Sequence, residues 1–135
     1  MTSFKLILSS ALLVGVALPA WSAPLPKEVG SCSRTSIEEI GYRLSSPDEN
    51  GVYIPVPGSG TSFSYSNGGY QVSYEAVPAI FNSRVNDPVE ICLASIPECQ
   101  LAQAGDIRGR SYLAKNLRTG KSWELPDSQH MCGGA

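Results

Sequence analysis

The sequence predicts an all-β fold, a small single-domain antiparallel sandwich or partly open barrel with two disulfides. Three observations carry that reading. Short runs of alternating apolar and polar residues recur between Pro, Gly and Asn turn signals. One of them, Thr61 to Tyr74, holds Asn67-Gly68, the strongest short hairpin signal, since both central residues of a type I′ turn need positive φ. Finally, the four cysteines are an even number in a chain that opens on an export-type segment, the setting in which cysteines pair.

The opening segment places one cation in Met1 to Lys5 and then an apolar, small-residue run from Leu6 to Ala20 that ends at Pro19. We read residues 1–22 as a secretory signal peptide, with Ala20-Trp21-Ser22 as the first choice of cleavage site and Leu18-Pro19-Ala20 as the second. The run is shorter than the roughly 20 apolar residues that cross a bilayer. Lipid attachment at Cys32 is disfavoured because Lys27 and Glu28 separate it from the apolar run. Residues 23–135 then form one domain that is periplasmic or secreted. The removed segment holds Lys5 and no acid, so the ten basic and 12 acidic residues of the chain become a net charge of −3. That balance disfavours a nucleic-acid partner, and no membrane span remains after cleavage.

Taken in order, residues 23–31 are Pro-rich and polar, expected as a flexible arm that orders only at Cys32. In Ser36 to Leu44 a helical spacing of Ile37, Ile40 and Leu44 competes with a strand spacing of Ile40, Tyr42 and Leu44. The strand, with a bulge near Glu39 to Gly41, fits a chain of strands better. Ser45 to Gly60, with its prolines and glycines, reads as a long loop. The hairpin follows, and a two-residue turn at Asn67-Gly68 sets Tyr65 opposite Tyr70, Phe63 opposite Val72 and Thr61 opposite Tyr74, all on one apolar face. Ala79 to Val85 reads as a strand. After Asn86-Asp87-Pro88, a turn, Val89, Ile91 and Leu93 alternate with Glu90 and Cys92, so Cys92 points away from the core. Cys99 to Gly109 is irregular. The last hairpin runs from Arg110 to Leu117 and from Lys121 to Leu125. A two-residue turn sets Lys115 opposite Glu124, and a three-residue turn sets Leu113 opposite Leu125. The tail from Pro126 is expected to be fixed only through Cys132. Of the three possible cysteine connectivities we favour Cys92 with Cys99, which Pro97 turns together, and Cys32 with Cys132, which ties both termini to the sheet.

The stretches G-Y-Q-V-S-Y from Gly69, S-R-V-N-D-P-V-E-I-C-L-A-S-I-P from Ser83, G-D-I-R-G-R-S-Y from Gly105, N-L-R-T-G-K-S-W from Asn116 and the ending D-S-Q-H-M-C-G-G-A give the second half of the chain a family look. It resembles small secreted proteins of α-proteobacteria, of the rhizobial type. The chain departs from them at Ala102-Gln103-Ala104, where a Pro-Pro would precede the Gly-Asp. The resemblance implies export and a disulfide-bonded domain, and it transfers no catalytic residue.

Two classes of function fit these residues. Arg108, Arg110, Lys115, Arg118 and Lys121 concentrate positive charge on a net acidic domain, with Trp123 beside them. Guanidinium groups suit carboxylates and phosphates, so this hairpin is the candidate binding surface, although strand edges also carry Lys and Arg merely to prevent pairing. The expected partner is an envelope or extracellular protein or an anionic ligand. The second class is a small cell-envelope hydrolase using His130 with Asp127 and Ser128. Those three residues crowd into four positions, whereas working triads draw on separate parts of a fold, and no nucleophile elbow is present. With one histidine and no C-x-x-C pair, no metal or cofactor is expected.

Overall fold

The computed structural model describes residues 22–134, so the expected signal peptide, but for Ser22, lies outside the described residues. The fold is all-β. Its long first strand, β1 (Cys32–Tyr42), is followed by β2 (Ser45–Pro47), β3 (Tyr53–Pro55), β4 (Thr61–Tyr65), β5 (Tyr70–Ser73), β6 (Pro88–Ser95), β7 (Ser111–Asn116) and β8 (Ser122–Pro126). Six strands form one antiparallel sheet in the order β5-β4-β1-β6-β7-β8, and β2 and β3 form a separate hairpin. β1 belongs to both halves of the main sheet. Cys32 to Ser36 pair with β6, and Ile37 to Tyr42 pair with β4. At the changeover Ile37 pairs with Tyr65 while Glu39 pairs with Ser64, so Glu38 is an inserted residue. The expected strand with a bulge is therefore present, the bulge lying one residue earlier. Such an insertion bends a strand and strengthens its twist. The sheet accordingly curls into a half-barrel whose outermost strands, β5 and β8, approach each other.

The concave side holds Ile37, Phe63, Tyr65, Val89, Ile91, Leu93, Tyr112, Ala114 and Trp123. Phe63 and Trp123 stack across it, with ring centroids 5.7 Å apart. Each large side chain of this kind gains about 1.5–3 kcal/mol by leaving water. The alternation of β6 is as expected: Val89, Ile91 and Leu93 are buried and Cys92 faces the other way.

The first hairpin corrects its expected register. Phe63 pairs with Gln71 and Ser64 with Tyr70, one residue away from the sequence reading. The reason lies in the turn: Gly68 alone takes positive φ, at 85°, and Asn67 does not, so a type I′ turn is excluded. Gly68 N donates to Tyr65 O, and Tyr65 N donates to Gly69 O, which makes a three-residue connection with a glycine bulge. Phe63 and Tyr65 stay inside, but Gln71 replaces Tyr70 on the inner face. Its amide is fully matched there. Tyr65 Oη (2.6 Å) and Trp123 Nε1 (3.0 Å) donate to Gln71 Oε1, and Gln71 Nε2 donates to Tyr112 O (2.7 Å) and Leu125 O (3.0 Å). One side chain of β5 thus bonds to the backbone of β7 and β8 and closes the barrel where no strand ladder does.

Other expectations change as well. The long loop contains the β2–β3 hairpin, organised by Asp48, whose Oδ1 accepts from Asn50 N and Val52 N. Ala79 to Val85 is not a strand: Pro78–Ile80 form a 3₁₀ turn with Pro at its start, which buries Ile80. The last hairpin follows neither expected register, since Leu113 pairs with Glu124 and Ala114 with Trp123 across a four-residue connection. Asn116 shapes that connection. Fully buried, it accepts Arg118 N (2.9 Å) and Thr119 N (3.2 Å) on Oδ1 and donates from Nδ2 to Ser83 Oγ and Asp87 Oδ2.

Cysteine pairing is also corrected: the bridges are Cys32–Cys92 and Cys99–Cys132. Cys32 and Cys92 are direct partners across β1 and β6, with Cα atoms 4.0 Å apart. This pairing could not be read without knowing that β1 lies beside β6. The second bridge fastens the irregular segment after Pro97 to the tail. Residues 23–31, expected to order only at Cys32, make contacts earlier: Ala23 N donates to Arg34 O, Leu25 packs on the core and Pro26 is buried. The tail, too, is held at more than its cysteine. Arg43 Nη1 donates to Gln129 Oε1, Tyr74 Oη to Gln129 O, and Cys132 N to Arg108 O.

Candidate functional site

The expected cationic hairpin is not one surface. Arg108 and Arg110 precede β7 and Arg118 and Lys121 follow it, so the six residues of the strand hold the two groups roughly 20 Å apart. Lys115 lies between them on the outer face, where it is exposed and paired with Glu90 and Ser122. Trp123 does not reach a surface; it is 5% exposed and bonded to Gln71. Tyr112 is buried as well, and Tyr70 faces outward.

Two of the arginines are tied down. Arg108 grips Asp106 through Nε (2.8 Å) and Nη2 (2.9 Å) and donates to Gly134 O, while Gly133 N donates to Asp106 Oδ2. This pair fastens the tail, and its hydrogen bonds hold the Asp106 carboxyl well below the usual carboxylate range. Arg110 sits beside Asp127 and Tyr112. Burial raises both of those groups, and the nearby guanidinium partly offsets it.

At the other end, Arg118 grips Asp87 in the same two-pronged way, through Nε to Oδ1 (2.6 Å) and Nη2 to Oδ2 (2.9 Å), and also donates to Asn82 O. Asp87 is 5% exposed, and Asn116 Nδ2 and Arg84 N complete its partners. The Arg118 hydrogen bonds hold this carboxyl far below its ordinary range, against the opposing effect of burial. These contacts dock the loop from Phe81 to Asp87 onto the tip of the β7–β8 hairpin. Between loop and tip lies an open cleft of about 480 Å³ lined by Phe81, Asn82, Ser83, Arg84, Arg118, Thr119 and Lys121.

This cleft brings Arg84 and Lys121 together with Arg118. Asp87 neutralises Arg118 from behind, while Arg84 and Lys121 are both exposed and no carboxylate is among the described lining residues. Ser83 and Thr119 hydroxyls and the Asn82 amide supply neutral donors. Such a set suits an anion: two exposed cations, one fixed guanidinium and hydrogen-bond donors at the rim. Arg118 and Lys121 belong to the sequence candidate; Arg84 does not. The strand reading of Ala79 to Val85 places Arg84 away from the hairpin, although Asn82-Ser83 and Asn86-Asp87 are turn-forming pairs on either side of it. Asn86 takes φ 71°, and the turn it makes brings Arg84 round to the hairpin.

The residues of the hydrolase reading form no catalytic set. Asp127 Oδ1 accepts Gly109 N (2.8 Å), a contact between the tail and the segment before β7, and Ser128 Oγ accepts His130 N (3.0 Å), the hydrogen bond of a local turn. The His130 side chain is exposed, and no bond joins it to Asp127 or Ser128 among the described residues. Among the described residues the one cluster with metal-ligand atoms, Cys32, Glu90 and Cys92, has both sulfurs in a disulfide and so offers no thiolate. Compared with family models, curated proteins and solved structures, the chain matches none.

Proposed function

We propose that this protein is an exported binding module that captures an anionic group in the cleft between Arg84 and Lys121 and performs no catalysis. Export is supported by the apolar leader read in the sequence, by the two disulfides and by the resemblance to secreted proteins. No helix among the described residues is long and apolar enough to cross a membrane. One observation carries the binding reading: Arg84 and Lys121 line the same cleft with no carboxylate among its described lining residues, and the Asp87–Arg118 tie lies behind it. A carboxylate or phosphate entering it meets charge on both sides and leaves little of its own charge unpaired. The tie keeps the cleft formed before the ligand arrives, which reduces the ordering cost of binding.

The role of Arg118 changes accordingly. As a sequence candidate it is a ligand contact; in the fold it is first the clamp that sets the cleft. Charge reversal at Arg118 would therefore unsettle the loop and report little about binding. The informative reversals are Arg84→Glu and Lys121→Glu. By equilibrium dialysis at low ionic strength, the oxidised protein should retain inorganic pyrophosphate, and each reversal should weaken retention at least about tenfold. Lys115→Glu, on the outer face beside Glu90, should leave it unchanged. Equal losses from all three reversals would mean that only net charge matters and would remove the site.

A further inference from the structure

The cationic cleft does not end at Phe81. Phe81 and Ser83 also line a second, mostly apolar groove of about 440 Å³, whose walls are Ile40, Gly41 and Tyr42 of β1 on one side and Val77, Ile80 and Phe81 on the other. Those walls adjoin the core: Ile80 is buried, and Ile40 and Val77 pack against the buried cluster. Two aromatic side chains stand exposed at the groove, Phe81 at 72% and Tyr42 at 49%. The volume falls within the range of small-molecule sites, roughly 300–1,000 Å³. Resting on the anion-binding reading above, we propose that the two form one site for a single-chain anionic amphiphile, its head between Arg84 and Lys121 and its acyl or alkyl tail along the groove.

Charge complementarity and continuity choose this occupant. A simple inorganic anion would leave the groove unused, and a neutral hydrocarbon would leave the cations unused. A molecule with a negative head and one flexible apolar chain matches both, and the shared Phe81 and Ser83 mark where head passes into tail. Ala76 matters to the tail end. Gly41 lines the groove with backbone alone, because it pairs with Ser62 one position beyond the inward Ile40–Phe63 pair and so faces the other side of the sheet. Ala76 is exposed and lines the groove, so a larger side chain there narrows it without entering the buried cluster.

The test uses butyl, hexyl and octyl phosphate below their micelle concentrations, followed by calorimetry, with inorganic phosphate and an octyl glucoside as controls. Affinity should rise by about fourfold for each added methylene that enters the groove. Ala76→Trp should flatten that chain-length dependence while inorganic phosphate binding persists. Should Ala76→Trp fold poorly, Phe81→Ala, at an exposed position, is expected to flatten the same dependence. Lys121→Glu should weaken every phosphate equally. If octyl phosphate binds no tighter than inorganic phosphate, the groove holds no tail and the inference fails while the anion site stands. If none of the phosphates binds, the anion reading itself fails. If octyl glucoside matches octyl phosphate, the head is not recognised, and if only anionic vesicles are bound, the surface reads a bilayer and not a single chain; both overturn the proposal.

Discussion

Arg118 and Asp87 face each other as a two-pronged ion pair, with Nε 2.6 Å from Oδ1, and Asn116 holds the same carboxylate from the strand behind. Three parts of the chain meet at that carboxylate: the loop after Pro78, the end of β7 and the hairpin tip. The pair thus joins fold and proposed site: the loop is anchored to β1 through Asn86 N and Asp87 O at Ile37, and the pair fixes its side nearest Lys121.

Its titration gives a pH prediction with a definite sign. The folded state holds the Asp87 carboxyl below its ordinary value, so the ionised form is favoured by folding. The stability it contributes is fully present above the ordinary carboxylate range, about pH 4, and is lost progressively as pH falls through and below it. Asp87→Ala should lower stability at neutral pH by about 1–2 kcal/mol, because it removes one of the two acceptors of the buried Asn116 amide and the acceptor of Arg84 N, while Arg118, partly exposed, keeps Asn82 O and solvent. Urea denaturation at several pH values checks both statements. The difference between the wild-type protein and the variant should shrink toward low pH; a constant difference would show that the carboxylate charge is not what matters.

The register of the first hairpin can be tested by two substitutions that trade places between the alternatives. With Gln71 inside, Gln71→Leu leaves Tyr65 Oη, Trp123 Nε1 and two carbonyls short of partners and should cost roughly 3 kcal/mol or more. Tyr70→Ala, at a partly exposed position on the outer side, should cost less than about 1 kcal/mol. In the register expected from the sequence the order would reverse. Chemical denaturation of the two variants distinguishes them without a structure.

That register shows where sequence reasoning reached and where it stopped. The alternation of Phe63 and Tyr65, and of Val89, Ile91 and Leu93, identifies the inner face, because burial of one side of a sheet imposes a period of two. The partner of each residue is a tertiary property. Gln71 is polar and reads as outward-facing; only a tyrosine on β4, a tryptophan on β8 and carbonyls from β7 and β8, assembled around it, make it an interior residue. The same limit hid the site. Arg118 and Lys121 stand out as charges in a hairpin, but Arg84 joins them through a turn and an ion pair spanning 31 positions of sequence.

Disulfide connectivity follows the same logic and has a direct check. Cys32 and Cys92 pair because β1 lies beside β6, and Cys99 and Cys132 pair because the segment after Pro97 runs under the tail. Non-reducing peptide mapping should recover these two links. Their loops span 60 and 33 positions, for which the chain-entropy model gives about 4 kcal/mol each, so the two single-bridge variants should be destabilised to similar extents. A Cys92–Cys99 peptide would contradict the strand order around β1.

Amide chemical-shift mapping of the oxidised protein, titrated with inorganic pyrophosphate at low ionic strength, tests the central claim most directly. The account predicts saturable shifts confined to residues 81–84 and 118–121, weakening as salt is raised because the field of exposed cations is screened within about 10 Å at 0.1 M. Shifts centred instead on Arg108 and Arg110, or spread over the surface without saturation, would contradict it.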